Sequence, residues 1–189
     1  MAKRVDADER RELILDAAVR VFARQGFAAT RMEDIAREVG VAKGTVYLSF
    51  TNQDALLEAV FSSYASRARE VLESVGDGPP LVRLERLLRS VVAMLASAPD
   101  HAQVVLDLQG TGLSLNMAAI YRAYRDRIAE LLRDALSEGA LRPGVGEGHA
   151  AVIIGAVEGC LLQRLADPAV ELADLAEPII DLCVEGIRA

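Results

Sequence analysis

The sequence has no tryptophan and only four tyrosines and four phenylalanines in 189 residues, so its core has to be built from Leu, Val, Ile and Ala. Its two cysteines, Cys160 and Cys183, sit in helix-like apolar stretches without metal-ligand spacing or a secretory context, and are expected to be buried free thiols. Its two histidines, His101 and His149, form no Glu-x-x-His pair; no glycine loop follows a strand, and no base motif stands near a cysteine. These absences argue against metal, phosphate-cradling and thiol chemistry, so the chain reads as a non-enzyme with no cofactor and no metal site. No uncharged apolar run reaches the ~18 residues of a membrane span, and MAKRVDADERRELIL carries charges where a secretion signal is apolar; a cytoplasmic protein with no membrane partner is expected.

Positive charge is also scarce. The formal net charge is -7, which at first argues against a nucleic-acid partner. The first 55 residues are nevertheless neutral, with nine basic side chains (Lys3, Arg4, Arg10, Arg11, Arg20, Arg24, Arg31, Arg37, Lys43) against nine acidic ones (Asp6, Asp8, Glu9, Glu12, Asp16, Glu33, Asp34, Glu38, Asp54). Chain totals of 21 and 28 therefore leave 12 basic and 19 acidic residues beyond position 55, so a phosphate-binding face is possible only near the N-terminal end. The hydrophobic fraction is 52%, an excess that a partner subunit would cover.

What the chain does have is helical periodicity. Leu13/Ile14, Ala17/Ala18 and Val21/Phe22 recur every four residues and predict a helix over about 7–25 that stops at Gly26. Thr30-Arg31-Met32-Glu33 fits a capping box opening a second helix that ends at Gly40. Residues 42–50 form a short third helix, and Asn52 or Thr51 caps a long fourth one with the stripe Leu56, Leu57, Val60, Phe61, Tyr64. After the break at GDGPP, helical patterns cover 81–98, 101–108, 115–137, 149–166 and about 172–187. The expectation is an all-α chain of about nine helices: a three-helix N-terminal domain over 1–52 and a helical C-terminal domain over 53–189.

Two helices joined by a glycine turn, the second short and polar on one side, describe a helix-turn-helix. Gly40 permits the turn, while Ile35, Ala36, Val39, Val41 and Val46 fill the angle between the helices. Lys43, Gly44, Thr45, Tyr47 and Ser49 remain outward at the start of the second helix, where short side chains and backbone amides suit a DNA groove and its phosphates. The stretches FARQGFAAT at 22–30, DIAREVGV at 34–41, KGTVYLSF at 43–50 and DALL at 54–57 together resemble the DNA-binding region of the tetracycline-repressor (TetR) family.

That resemblance implies that Thr30, Arg31, Lys43, Gly44, Thr45, Tyr47, Ser49 and Asn52 face duplex DNA, and that the chain works as a homodimer on an inverted-repeat operator. It also implies release by an unknown small effector, with repression as the family's habit. Ser49 stands where many members have a histidine or other polar side chain, and Gln53 where they have a lysine, which predicts a shallower salt dependence of DNA binding. The family's layout further implies an effector pocket, with Met94, His101, Gln109, Asn116, Met117, Tyr121 and Glu158 as candidate lining residues for an apolar or amphipathic ligand. Gly155 and Gly159, four apart on an apolar helix, and Leu175, Ile179, Leu182 and Cys183 on the last helix are expected to pair with a second subunit. Asn116 and His101 also fit helix-capping roles, and Met94 and Met117 fit core filling. The alternative function is a helical protein-interaction module without sequence-specific DNA binding, which would leave residues 30–47 without a purpose.

Overall fold

The computed structural model describes residues 2–107 and 116–189, with side chains from residue 7 onward. The described residues are mostly helical, with no strand among them. They comprise α1 (Ala2–Gln25), α2 (Met32–Val39), α3 (Lys43–Ser49), α4 (Gln53–Glu73), α5 (Pro80–Ser97), α6 (Pro99–Asp107), α7 (Met117–Ser137), α8 (Glu147–Ala166) and α9 (Ala176–Cys183). The chain divides into two compact units: residues 2–65 with 100–107, and residues 66–99 with 116–189. The division falls inside α4, and nearly all of α6 belongs to the first unit.

The core of the first unit is continuous through Ile14, Ala17, Ala18, Val21 and Phe22 of α1, Ile35 and Ala36 of α2, Val46 of α3 and Leu56, Leu57 and Val60 of α4. These are the helix-period positions read from the sequence, and burying each large aliphatic side chain stabilises the fold by about 1.5–3 kcal/mol. Helix ends follow local rules. Gly26 and Gly40 both take positive φ, 80° and 78°, where a side chain would clash, and each N–H returns to a carbonyl of the helix it closes (Gly26 to Phe22 at 2.8 Å, Gly40 to Ala36 at 3.0 Å). Asn52 caps α4, its Oδ1 accepting from Ala55 N–H at 2.8 Å.

α2 starts one residue later than the sequence suggested, and only half of a capping box forms, because an arginine at the N-cap has no side-chain acceptor for the N3 amide. Arg31 is the N-cap, and its N–H donates to the Asp34 carboxylate at 2.9 Å. Thr30 is 3% exposed, and its hydroxyl donates to Gly26 O at 2.8 Å. The physical reason is the turn before α2: Thr30 is folded in to satisfy the carbonyl left open at the end of α1, so it is unavailable as a cap for α2.

In the second unit, buried side chains include Leu81, Leu84, Leu87 and Leu88 of α5, Ile128, Leu131 and Leu132 of α7, and Ile153, Val157 and Leu161 of α8. The expected continuous last helix is broken into a 3-10 turn at Leu172–Leu175, α9, and a second 3-10 turn at Glu185–Ile187. Pro178 explains the first break. It lacks an N–H and cannot sit inside a helix, but is tolerated in the first turn, which is where α9 has it. α8 is long and apolar enough, by length and composition alone, to cross a membrane, although Glu158 lies near its centre; only 22% of its most apolar stretch is buried within the chain.

Candidate nucleic-acid interface

A seven-residue helix is too short to be stable by itself, so α3 depends on what holds it. Its inner side supplies Val46, 0% exposed, with Phe50 just beyond its end also in the core. The turn from α2 closes on Val41, whose N–H donates to Ala36 O at 2.9 Å, and Thr45 N–H returns to Ala42 O at 2.8 Å. The outer side is left open. Lys43 and Gly44 are exposed, Tyr47 is 41% exposed, and a Cβ at Gly44 would meet nothing within 4 Å among the described residues. Thr45 and Ser49 are half-buried.

Ion pairs brace this arrangement. Glu38 of α2 accepts from Arg20 and Arg24 of α1, both at 3.1 Å, and these two guanidinium hydrogen bonds hold its carboxyl below the usual range. Asp34 is likewise lowered, first by the backbone N–H of Arg31. Glu33 at the start of α2 pairs across the turn with Lys43 at the start of α3. That hydrogen bond lowers the Glu33 carboxyl and raises the Lys43 ammonium, so both are charged at neutral pH. The Lys43 ammonium also lies 5.5 Å from the Tyr47 ring centroid. Lys43 is therefore an exposed cation already sharing its charge with a carboxylate and an aromatic face, which a phosphate would have to displace or join.

One brace was not read from the sequence. Arg11 of α1 donates to the Ser49 carbonyl at 2.8 Å and lies 4.0 Å over the Phe50 ring, tying down the C-terminal end of α3. Ser49 thus takes part through its backbone. Gln53 donates to the Phe27 carbonyl, so at least one amide N–H of the residue standing in place of a lysine is directed inward. Arg31 and Asn52 are exposed, with the Asn52 oxygen used as a cap and its amide nitrogen free of that bond. Thr30 is almost fully buried, and its hydroxyl bond to Gly26 O fixes the turn that precedes Arg31.

Residues 14–60, which contain this whole assembly, match the family model described as bacterial regulatory proteins, tetR family. The chain belongs to the tetR family. A fatty acid metabolism regulator protein of Bacillus subtilis is 27% identical to it over 184 residues, 93% of this chain and 94% of the relative. The HTH-type regulator YerO of the same organism is 29% identical over 145 residues; there the match spans 75% of this chain and about half of YerO, 48%. The solved structure of the transcriptional regulator FadR from Bacillus subtilis in complex with stearoyl-CoA superposes with a TM-score of 0.72 at 25% identity, covering 93% of this chain and 98% of that one. This tetR-family protein is accordingly a DNA-binding transcriptional regulator and not a helical module lacking DNA binding.

In the second unit of this regulator, Tyr121 of α7 and Glu158 of α8 come together, the phenol donating to the carboxylate, both half-buried. Met94 and Met117 are half-buried, and Asn116 is exposed and caps α7, accepting from Ala119 N–H at 3.1 Å. His101 lies half-buried on α6 in the first unit, and Gln109 lies outside the described residues. His149 caps the start of α8, its Nδ1 accepting from Gly146 N–H at 3.1 Å.

Along α8, Val152, Gly155, Gly159 and Leu162 recur at intervals of three and four and share one face. Val152 is 69% and Leu162 56% exposed, and beyond the helix's own backbone and the adjacent residues a Cβ at either glycine would meet no described atom within 4 Å. Leu182 of α9 is 76% exposed, while Leu175 and Cys183 are half-buried. Ile179, also expected at the subunit contact, is 4% exposed within the chain. The two thiols are half-buried rather than buried, and desolvation raises that of Cys183.

Proposed function

We propose that this regulator binds an inverted-repeat operator as a homodimer through the open side of α3 and its surroundings, with Arg31, Lys43, Gly44, Thr45, Tyr47 and Asn52 meeting the duplex, and that a small apolar or amphipathic effector releases it. The observation that carries the reading is the contrast across α3: Val46 is sealed in the core, while Gly44 has open space beside its backbone and Tyr47 stands exposed next to it. A helix bare at one position and anchored on the other side can lie close to base edges in a major groove. The test is retardation of DNA fragments upstream of the regulator's own gene. Wild type is expected to retard one of them and Tyr47→Ala to lose that retardation; equal retardation by both proteins counts against the reading.

Dimerisation is supported by the α8 face. Gly155 and Gly159 each cost about 1 kcal/mol of helix stability relative to alanine, and no described packing within the chain uses the space they leave. A second copy of α8 and α9 approaching that bare strip, with Val152, Leu162 and Leu182 around it, would use it. For the effector, a polar Tyr121–Glu158 pair among aliphatic helices suits a ligand with an apolar body and one polar group, and a long acyl chain ending in a polar carrier has that form. Thermal-shift titration with acyl-coenzyme A of graded chain length tests it, the expected result being stabilisation that grows with chain length.

A further inference from the structure

Leu48 is 87% exposed, the highest value among the large apolar side chains described, and it is the sixth of the seven residues of the helix read above as groove-facing. Within the first unit it has no packing role to fill, since Val46 and Phe50, four apart, already form the buried side of this segment. Leu48 is four residues after Gly44, hence on the same face and one turn further along. Beyond the adjacent residues, no described side chain, that of Leu48 included, comes within 4 Å of where a Cβ at Gly44 would stand, so the two positions leave a strip of this face open. Its neighbours on the open side, Lys43, Thr45 and Tyr47, all carry hydrogen-bonding groups. Leu48 carries none, and so can accept or donate nothing to a phosphate or to a base edge.

The major groove offers one apolar feature to such a side chain, the C5-methyl of thymine. We infer that Leu48 is a specificity residue that packs on a thymine methyl in each operator half-site. The inference rests on α3 being the groove helix, and goes beyond it by assigning one base to one side chain. A sugar contact by Leu48 would instead be indifferent to sequence.

The experiment uses the full chain and an operator selected by it from randomised duplexes. Each thymine of the half-site is replaced in turn by deoxyuridine, which removes the methyl and leaves pairing intact. At one position per half-site, wild type is expected to bind the uracil duplex about fourfold more weakly per methyl, the effect of one buried carbon. Leu48→Ala is expected to bind thymine and uracil duplexes equally there, and Leu48→Met to keep part of the preference. Because the side chain is exposed, both variants should melt like wild type. If uracil substitution has the same effect on wild type and Leu48→Ala at every position, or if Leu48→Ala weakens all duplexes alike, the inference is overturned while the groove-helix reading stands. If wild type selects no duplex at all, the groove-helix reading itself has failed.

Discussion

The open faces of α3 and α8 both expose apolar side chains beside a glycine with free space around it, yet they are supported differently. α3 has seven residues and is held from outside, by the Val46 and Phe50 anchors, the Arg11 brace and the Glu33–Lys43 pair, within a first unit further tied by the Glu38 pairs. α8 has twenty residues and keeps itself helical despite two interior glycines, but only a small part of its apolar stretch is covered. A short helix framed by charge presents single side chains at fixed angles, which suits reading a nucleic acid. A long, bare, apolar helix presents area, which suits a second copy of the chain.

The comparison can be broken at several points, starting with the largest effect. Ile35→Ala, at a fully buried position between α2 and its neighbours, should cost about 2–5 kcal/mol in urea unfolding and abolish retardation of DNA, because α3 loses its seat. Leu162→Arg should shift the protein from dimer to monomer in sedimentation without lowering the helical content of the monomer, since an unpaired charge in an interface costs several kcal/mol. Gly155→Ala sharpens the same point through its sign. It should favour the isolated helix by about 0.5–1 kcal/mol yet weaken the dimer, and strengthening both would place α8 in solvent.

Smaller effects probe the charged frame. Glu33→Gln frees Lys43 from its partner, so DNA binding in low salt should tighten about twofold, with the gain fading as salt rises. Acid should loosen the first unit. The Glu33, Asp34 and Glu38 carboxyls are lowered in the folded chain, so the unfolded chain binds protons first. Stability is then fully present above the ordinary carboxylate range and falls as pH drops through it. Amide exchange of α2 and α3 followed against pH checks this.

Most of the helix layout was legible because its signals are local. Gly26 and Gly40 mark stops where the backbone turns left-handed, Asn52 sits where a cap is needed, and Ile35, Ala36 and Val46 keep the spacing of a buried seam. What was not legible depended on distance or on competition between partners. Arg11 reaches a carbonyl 38 positions away, and no spacing rule links them. Thr30 reads as a cap for α2 from its spacing to Glu33, but its hydroxyl is taken by the Gly26 carbonyl behind it. Gln53 reads as an exposed polar residue until Phe27 is brought beside it. Pro178 did carry a signal for the break in the last segment, since a proline marks a first turn and not a helix interior. Leu48 also carried one, being an apolar residue outside the four-residue spacing that Val46 and Phe50 already satisfy.

The central claim is that the open face of α3 enters the major groove. Photocrosslinking tests it most directly, with bromodeoxyuridine, whose bromine replaces the thymine methyl, placed in turn at the thymines of a selected operator and irradiated in complex with the full chain. The predicted result is a crosslink in the tryptic peptide 44–67, at a residue between Gly44 and Ser49. A crosslink confined to residues 66–189 while the duplex stays bound would contradict the account.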